Sequence, residues 1–271
     1  MRVRANAAIG STMIGALAFV ALLAAFWTPF DPVGINLKAR FLSPSALHWL
    51  GTDEFGRDVL SRVMAGASAS ALVAASAVAT AATFGAAIGL ICGYLRGAID
   101  RVVMTVNDAL LAFPGILLAL AALVVLGAGR AAIVLALSLA YTPSTARIVR
   151  GAALSVRERE FIEASRLMGN SEAYTMLRHV LPNCLAPLIV LATSMFGWAL
   201  LAESALSFLG LGAPPPAPTW GNMLAASRPY MQSAPWLEIA PGLCIALTLL
   251  GANLLGDALR DRLDPRMRPV R

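Results

Sequence analysis

The chain has 271 residues, of which 58% are hydrophobic and only 13% are charged, whereas a soluble domain carries about 25% charged residues. This composition excludes a soluble globular protein and indicates that lipid is the solvent for most of the chain. The net charge of +6 does not indicate nucleic-acid binding, because the positive residues form no single patch. Cys92, Cys184 and Cys244 lie in apolar runs, and their spacing suggests neither a disulfide framework nor a metal-binding pair.

The first predicted element is an apolar run over residues 5–27, which follows Arg2 and Arg4. A membrane-spanning helix needs about 20 apolar residues, whereas the hydrophobic part of a signal peptide has about 7–15. We therefore predict a retained transmembrane helix within residues 1–29. Cleavage as a signal peptide is the alternative.

Residues 30–66 are polar and are predicted to form an extracytoplasmic segment. Its most distinctive string is LGTDEFGRD, residues 50–58, followed by a Ser-Arg pair. The glycines permit turns, and Asp58 is placed either to cap the next helix or to pair with Arg62 one turn later. We predict a structural elbow, with contact to a partner as the alternative. The motif residues are Gly51, Thr52, Asp53, Gly56, Arg57, Asp58 and Arg62.

Residues 67–95 and 102–126 are predicted to be the second and third spans. The second carries a small residue at every fourth position, which lets two helix backbones approach closely in lipid. These residues are Ala81, Gly85, Gly89, Gly93 and Gly97. The third contains Asp108, a functional candidate that would line a pathway through the membrane, because carboxylates are costly inside the bilayer. An ion pair with Arg101 or Arg147 is the favoured role, because Asp108 is seven residues beyond Arg101 and therefore only about 10 Å deep.

A fourth span is predicted at residues 131–153, and a charged loop follows at residues 150–182. Phe161, Ala164, Ser165 and Met168 have the spacing of one helix face. Gly169 is predicted to end that helix. Asn170 or Ser171 is predicted to cap a second helix, which Pro182 would end. Two short helices with a tight corner would fit a groove on a partner.

A fifth span is predicted at residues 184–209 and a last one at residues 237–255, separated by an extracytoplasmic loop at 210–236. Glu203 lies near the far end of the fifth span. Two roles are predicted for Glu203 with equal weight: it lines an outer gate, or it makes hydrogen bonds between helices. Residues 220–231 have the spacing of an amphipathic helix lying at the outer interface.

The distribution of positive charge predicts the topology. An amino terminus inside the cell places fifteen of the 21 Lys and Arg residues on the cytoplasmic side, in agreement with the positive-inside rule. Both termini and the charged loop are then cytoplasmic. The six residues on the outside are Lys38, Arg40, Arg57, Arg62, Arg130 and Arg228.

Three strings carry a resemblance to a known family. Glu163, Ala164 and Ser165, with Gly169 four residues later and then Leu181 and Pro182, resemble the EAA loop of ABC importer permeases. Ser165 stands where that family usually has alanine. LGTDEFGRD, and ESALSFLGLG at residues 203–212, resemble elements of the dipeptide, oligopeptide and nickel branch.

The resemblance implies an all-α integral membrane protein of the type I ABC importer permease fold, with six transmembrane helices and both termini cytoplasmic. A permease core at residues 67–259 would hold five of these helices, and residues 260–271 would be a cytoplasmic tail. Glu163, Ala164, Ser165, Gly169, Leu181 and Pro182 would couple the chain to an ATPase. The implied location is a bacterial inner membrane, where lipid surrounds the chain.

The implied function is import of dipeptides or oligopeptides, with nickel, another metal chelate or a haem-like solute as the alternative. The implied partners are a second, homologous permease, two ATPase subunits or one dual ATPase chain, and an extracytoplasmic substrate-binding protein. We expect no cofactor, metal or nucleic acid on this chain, with ATP and Mg²⁺ bound by the ATPase subunits.

Other function classes find less support in the sequence. No GxxxxGK[ST] loop is present, so the chain has no P-loop for ATP. His48 and His179 are predicted on opposite sides of the membrane, and no GxSxG or HExxH motif occurs. A self-sufficient secondary transporter would carry ionisable residues near mid-membrane and internal repeats. The chain offers only the off-centre Asp108 and Glu203.

Overall fold

The computed structural model describes residues 2–263, and its regular elements within that range are helices. Backbone polar groups find no water in the hydrocarbon core, so the apolar runs form helices, which satisfy these groups internally. The α-helices are α1 (Arg2–Ala24), α2 (Val59–Leu95), α3 (Gly97–Leu111), α4 (Gly115–Leu126), α5 (Arg130–Arg157), α6 (Glu160–Leu167), α7 (Glu172–Thr175), α8 (Leu181–Phe208), α9 (Trp220–Ser227) and α10 (Trp236–Leu263).

Six membrane spans follow from these helices. Five are continuous: α1, α2, α5, the helix Glu172–Phe208 that contains α7 and α8, and α10. The sixth is the pair α3 and α4, which are bent by 95° relative to each other. Residues 260–263 of the predicted tail continue α10, and residues 264–271 lie outside the described residues.

The predicted third span, residues 102–126, is broken, because the helix is interrupted between Leu111 and Gly115. Pro114 lacks an amide hydrogen and disfavours helical geometry at Phe113. Both halves nevertheless pack on α5. The Asn107 side-chain amide donates to the carbonyl of Pro143 at 3.2 Å, and Ala119 of α4 is buried in a cluster with residues of α5.

A close helix contact joins α2 to α5 through three of the predicted small residues. A Cβ atom added at Gly85, Gly89 or Gly93 would lie 2.4–2.8 Å from atoms of α5. Gly97 does not belong to this contact. It has a φ of +79° and no neighbour within 4 Å of an added Cβ, so it forms the turn between α2 and α3.

The connecting segments gather at two opposite ends of the molecule. We call residues 25–58 and 209–235 the outer cap. Its two parts contact each other through the rings of Phe41 and Tyr230, whose centroids are 4.7 Å apart. Trp236, the first residue of α10, donates from Nε1 to the Thr52 carbonyl at 3.2 Å. The opposite end contains α6 and α7, together with the start of α1 and the end of α10. His48 lies in the outer cap and His179 near α7, as expected from the predicted topology.

Candidate functional site

The most distinctive surface feature is a corner formed by α6, a tight turn and α7, residues 160–175, which we call the coupling corner. Gly169 has a φ of +81°, which a side chain would disfavour, and it ends α6 as predicted. Ser171, rather than Asn170, caps α7, since its hydroxyl accepts a hydrogen bond from the Tyr174 amide at 3.2 Å.

Ser165 holds the two helices of the corner together. Its side chain is buried, and its hydroxyl lies 3.0 Å from the hydroxyl of Thr175 in α7. It also accepts a hydrogen bond from the Asn170 side chain at 3.2 Å. Alanine, which is usual at this position in the EAA loop that the sequence resembles, could not make these hydrogen bonds. The serine therefore stabilises the turn directly.

Of the four residues predicted to share one face of α6, only Ser165 is buried. Ser165 is buried together with Ile162, which packs with Tyr94 and Val180. Phe161, Ala164 and Met168 are exposed instead. The reason is that α7 packs on one side of α6, so that the residues at i and i+3 turn inward.

The outward surface of the corner combines exposed apolar side chains with three exposed glutamates, Glu160, Glu163 and Glu172. Leu167 is 83% exposed and Met168 74% exposed, next to the exposed Glu163 and Ala164. Exposed apolar patches of this kind mark sites of protein association. The corner therefore has the shape and chemistry to enter a groove on another protein.

Pro182 does not end the second helix of the loop, contrary to the prediction. It lies in the first turn of α8, and a π-helical turn, Met176–Val180, joins α7 to α8 without a break. Leu181 is half-buried and Pro182 exposed. Consequently α7 is the tip of a span, and a displacement of α7 is a displacement of that span.

In the outer cap, Asp53 organises the LGTDEFGRD motif. One carboxylate oxygen accepts from the amides of Phe55 and Arg57, each at 2.9 Å, and the other from Arg57 Nε at 2.6 Å. Arg62 Nε lies 3.4 Å from the same carboxylate. Burial raises the pKa of the neighbouring Glu54, which contacts the Arg57 guanidinium at 3.2 Å.

Asp58 caps α2, which was one of its two predicted roles. Its Oδ2 accepts from the Ser61 amide at 2.8 Å and from the Ser61 hydroxyl at 2.7 Å. Its Oδ1 lies 2.9 Å from His48 Nδ1. The predicted pairing with Arg62 does not form, because Arg62 pairs with Asp53 and donates to the Pro32 carbonyl at 3.0 Å.

Both glycines of the motif are required by geometry. Gly51 and Gly56 have φ values of +73° and +72°. A Cβ at Gly51 would lie 2.6 Å from the Leu42 carbonyl oxygen, and one at Gly56 would lie 1.8 Å from that of Asn36. Thr52 is buried between them and accepts a hydrogen bond from the Leu42 amide at 2.8 Å. The motif is thus a rigid elbow at the start of α2.

The two candidate pathway carboxylates have different surroundings. Glu203 is only 1% exposed and accepts a hydrogen bond from the Ser207 hydroxyl at 2.7 Å. The Asp108 carboxylate accepts from the Arg147 guanidinium at 2.5 Å, and both side chains are more than half exposed, at 61% and 56%. Of the two arginines considered for Asp108, Arg147 is therefore the partner.

Several contacts had no counterpart in the sequence analysis. Asp100 of α3 binds Arg150 of α5 through two hydrogen bonds, at 2.5 and 2.7 Å. Trp220 of α9 is buried and donates from Nε1 to the Val63 carbonyl at 3.0 Å. The partners in these pairs are 50 and 157 residues apart, so no local pattern indicates them.

Comparison with known proteins identifies the family. Residues 85–269 match the family described as "Binding-protein-dependent transport system inner membrane component". The chain is 44% identical over 262 residues to a dipeptide transport system permease protein of Alkalihalophilus pseudofirmus, covering 97% of this chain and 86% of the relative. It is 40% identical over 257 residues to a glutathione transport system permease protein of Pectobacterium atrosepticum, covering 92% and 85%.

Proposed function

Because the chain belongs to the binding-protein-dependent transport system inner membrane component family, we propose that it is the permease subunit of an ABC importer that carries dipeptides or oligopeptides into the cell. The observation that carries this proposal is the coupling corner. It projects an apolar, partly acidic surface at the end of the molecule opposite the outer cap, and it is continuous with a membrane span.

In this proposal the corner docks on an ATP-hydrolysing subunit. Leu167 and Met168 would enter an apolar groove, and Glu163 would meet a basic residue at its rim. ATP and Mg²⁺ would be bound by the ATPase subunits. When these subunits close, they would displace α6 and α7. Since α7 runs into α8 without a break, the displacement would pass directly to a span, as in rigid-body switching between two arrangements.

The assembly we propose contains this chain, a homologous permease, two ATPase subunits or one dual ATPase chain, and a substrate-binding protein that meets the outer cap. The exposed Asp108–Arg147 pair is consistent with a second permease, or a water-filled passage, next to the surface formed by α3 and α5. An exposed ion pair at a membrane-spanning helix is costly against lipid, so this face is better satisfied by protein or water.

Peptides are the solutes favoured by the relatives. One is named for dipeptides and another for glutathione, itself a short peptide. A nickel or metal-chelate solute has no such support from these relatives. We therefore propose a peptide substrate of a few residues, delivered by the binding protein and passed between the two permeases.

The test is reconstitution of the chain with its partners in lipid vesicles. We expect uptake of a labelled dipeptide that requires ATP and binding protein, and no uptake of ⁶³Ni²⁺. Glu163→Ala and Gly169→Pro should leave the chain inserted but abolish ATP-dependent uptake. Normal uptake by both variants would contradict the docking role, and uptake by the chain alone would contradict the ABC importer assignment.

A matched pair of substitutions separates docking from general damage. Met168→Glu places a charge on the exposed corner, whereas Met231→Glu places the same charge on an exposed methionine near the outer cap. We expect only Met168→Glu to reduce the amount of ATPase that co-purifies with the chain. Equal retention of the ATPase by both variants would count against docking at the corner.

A further inference from the structure

The longest single element joins the two ends of the molecule. Helix α2 has 37 residues and is therefore about 55 Å long. Asp58 of the rigid LGTDEFGRD elbow caps its first turn, and Tyr94 lies in its last turn. Between these points α2 packs on α5 through Gly85, Gly89 and Gly93. One helix thus runs without interruption from the outer cap to the coupling corner.

Tyr94 is the point at which α2 meets the corner. Its ring is 1% exposed and packs with Ile162 of α6 and with Val180 and Cys184 of the following helix. Its hydroxyl donates a hydrogen bond to the Glu172 carboxylate in the first turn of α7. A side chain of α2 therefore touches both helices of the corner.

Two arginines complete the joint around this phenol. The Arg166 guanidinium of α6 lies 5.2 Å from the centre of the Tyr94 ring and 3.3 Å from the Glu172 carboxylate. The guanidinium is held by the Tyr94 ring and by Glu172. Its Nε atom is buried and has no hydrogen-bond partner among the described residues. Arg157, at the end of α5, donates to the Tyr94 carbonyl and lies 5.8 Å from the ring centre.

We propose that Tyr94 is a positioning residue that fixes the coupling corner to α2, so that the two move as one body when an ATPase displaces the corner. This inference rests on the proposed function and extends it. Motion of the corner then reaches two helices: α8, which is continuous with α7, and α2, which is joined to α7 by the Tyr94–Glu172 hydrogen bond. Through α2 the same motion reaches the elbow under the binding protein. Coupling between two ends is reciprocal, so binding-protein docking would act on the ATPase by the same route.

The experiment measures dipeptides imported per ATP hydrolysed in vesicles that contain the full complex and the binding protein. Tyr94→Phe keeps the ring but removes the hydroxyl. We expect the ATPase subunits to remain bound and the ratio to fall by about fivefold or more, the lower end of typical coupling between sites. Tyr141→Phe, which removes a hydroxyl in the middle of α5, serves as the control and should leave the ratio unchanged.

Glu172→Ala tests the same bond from the other side. The Glu172 side chain is largely exposed, so its removal does not endanger the fold. The double variant Tyr94→Phe/Glu172→Ala should have a ratio no lower than that of the more affected single variant, since both substitutions remove the same Tyr94–Glu172 hydrogen bond. Additive losses, or an unchanged ratio in Tyr94→Phe, would overturn the inference.

The outcomes separate the inference from the proposed function. If the wild-type complex imports dipeptide with ATP and the Tyr94→Phe complex does so equally well, the inference is overturned but the proposed function is not. Loss of the ATPase from the Tyr94→Phe complex also overturns it, because the phenol would then serve docking instead of transmission. A wild-type chain that never binds an ATPase overturns the proposed function, and the inference falls with it.

Discussion

Replacement of Gly89 by alanine tests whether close contact between α2 and α5 holds the permease core together. An added Cβ would lie 2.4 Å from the Ala146 carbonyl oxygen and 2.8 Å from the Arg150 amide nitrogen. Both are backbone atoms, so no side chain can rotate away and the helices must separate. Overpacking of this kind costs about 1–3 kcal/mol, and we take the upper end because the obstacle is backbone.

The matched control is Gly151→Ala in α5. Nothing lies within 4 Å of an added Cβ at Gly151, so only the gain in helix propensity, about 1 kcal/mol, remains. The same gain offsets part of the cost at Gly89. We therefore expect Gly89→Ala to lower the free energy of unfolding by about 2 kcal/mol and Gly151→Ala to raise it by up to about 1 kcal/mol.

The assay is thermal unfolding of the purified chain in detergent, followed by loss of monodisperse protein. A change of 1 kcal/mol shifts Tm by about 2–4 °C in proteins of roughly this size. We expect Gly89→Ala to melt about 4–8 °C below the wild type and Gly151→Ala at or slightly above it. Equal melting of the two variants would refute the reasoning, because the chemical change is the same in both.

Four further substitutions test the outer cap and the buried carboxylate. Asp58→Ala should destabilise the chain by about 3 kcal/mol, since it removes a helix cap and leaves the buried Ser61 hydroxyl without its acceptor. Asp58→Asn should recover part of this loss in the same melting assay. Gly56→Ala should cost at least about 2 kcal/mol, because the residue has a positive φ and its Cβ would overlap the Asn36 carbonyl oxygen. A wild-type Tm would contradict this. Glu203→Gln should slow dipeptide uptake while the ATPase still co-purifies, and loss of assembly would instead assign Glu203 to hydrogen bonding between helices.

Local features of the sequence predicted much of the fold. The apolar runs predicted the six spans, and Gly169 and Ser171 marked the end of one helix and the start of the next. Each of these depends on a few adjacent residues: a long apolar stretch, a glycine able to adopt positive φ, or a hydroxyl at a helix start. The spacing of Gly85, Gly89 and Gly93 likewise predicted a close helix contact, although not which helix would make it.

Predictions that depended on a distant partner were less successful. The charge of Arg62 suggested Asp58, four residues away, but Arg62 pairs with Asp53 because Asp58 is already used as the cap of α2. The spacing of residues in α6 did not indicate which of them are buried, because α7 decides which side of the helix is covered. Pro114 marked a break that the hydropathy of residues 102–126 concealed, since an apolar composition does not distinguish a straight span from a bent one.

The sequence by itself determined how many times this chain crosses the membrane and where some of its helices begin and end, because lipid and backbone geometry act on each segment separately. Only the tertiary structure decided which helices touch, which charges pair, and that Tyr94 of α2 meets Glu172 across 78 residues of chain. Those contacts depend on how whole helices approach one another, and that approach is set by every other contact in the membrane at once.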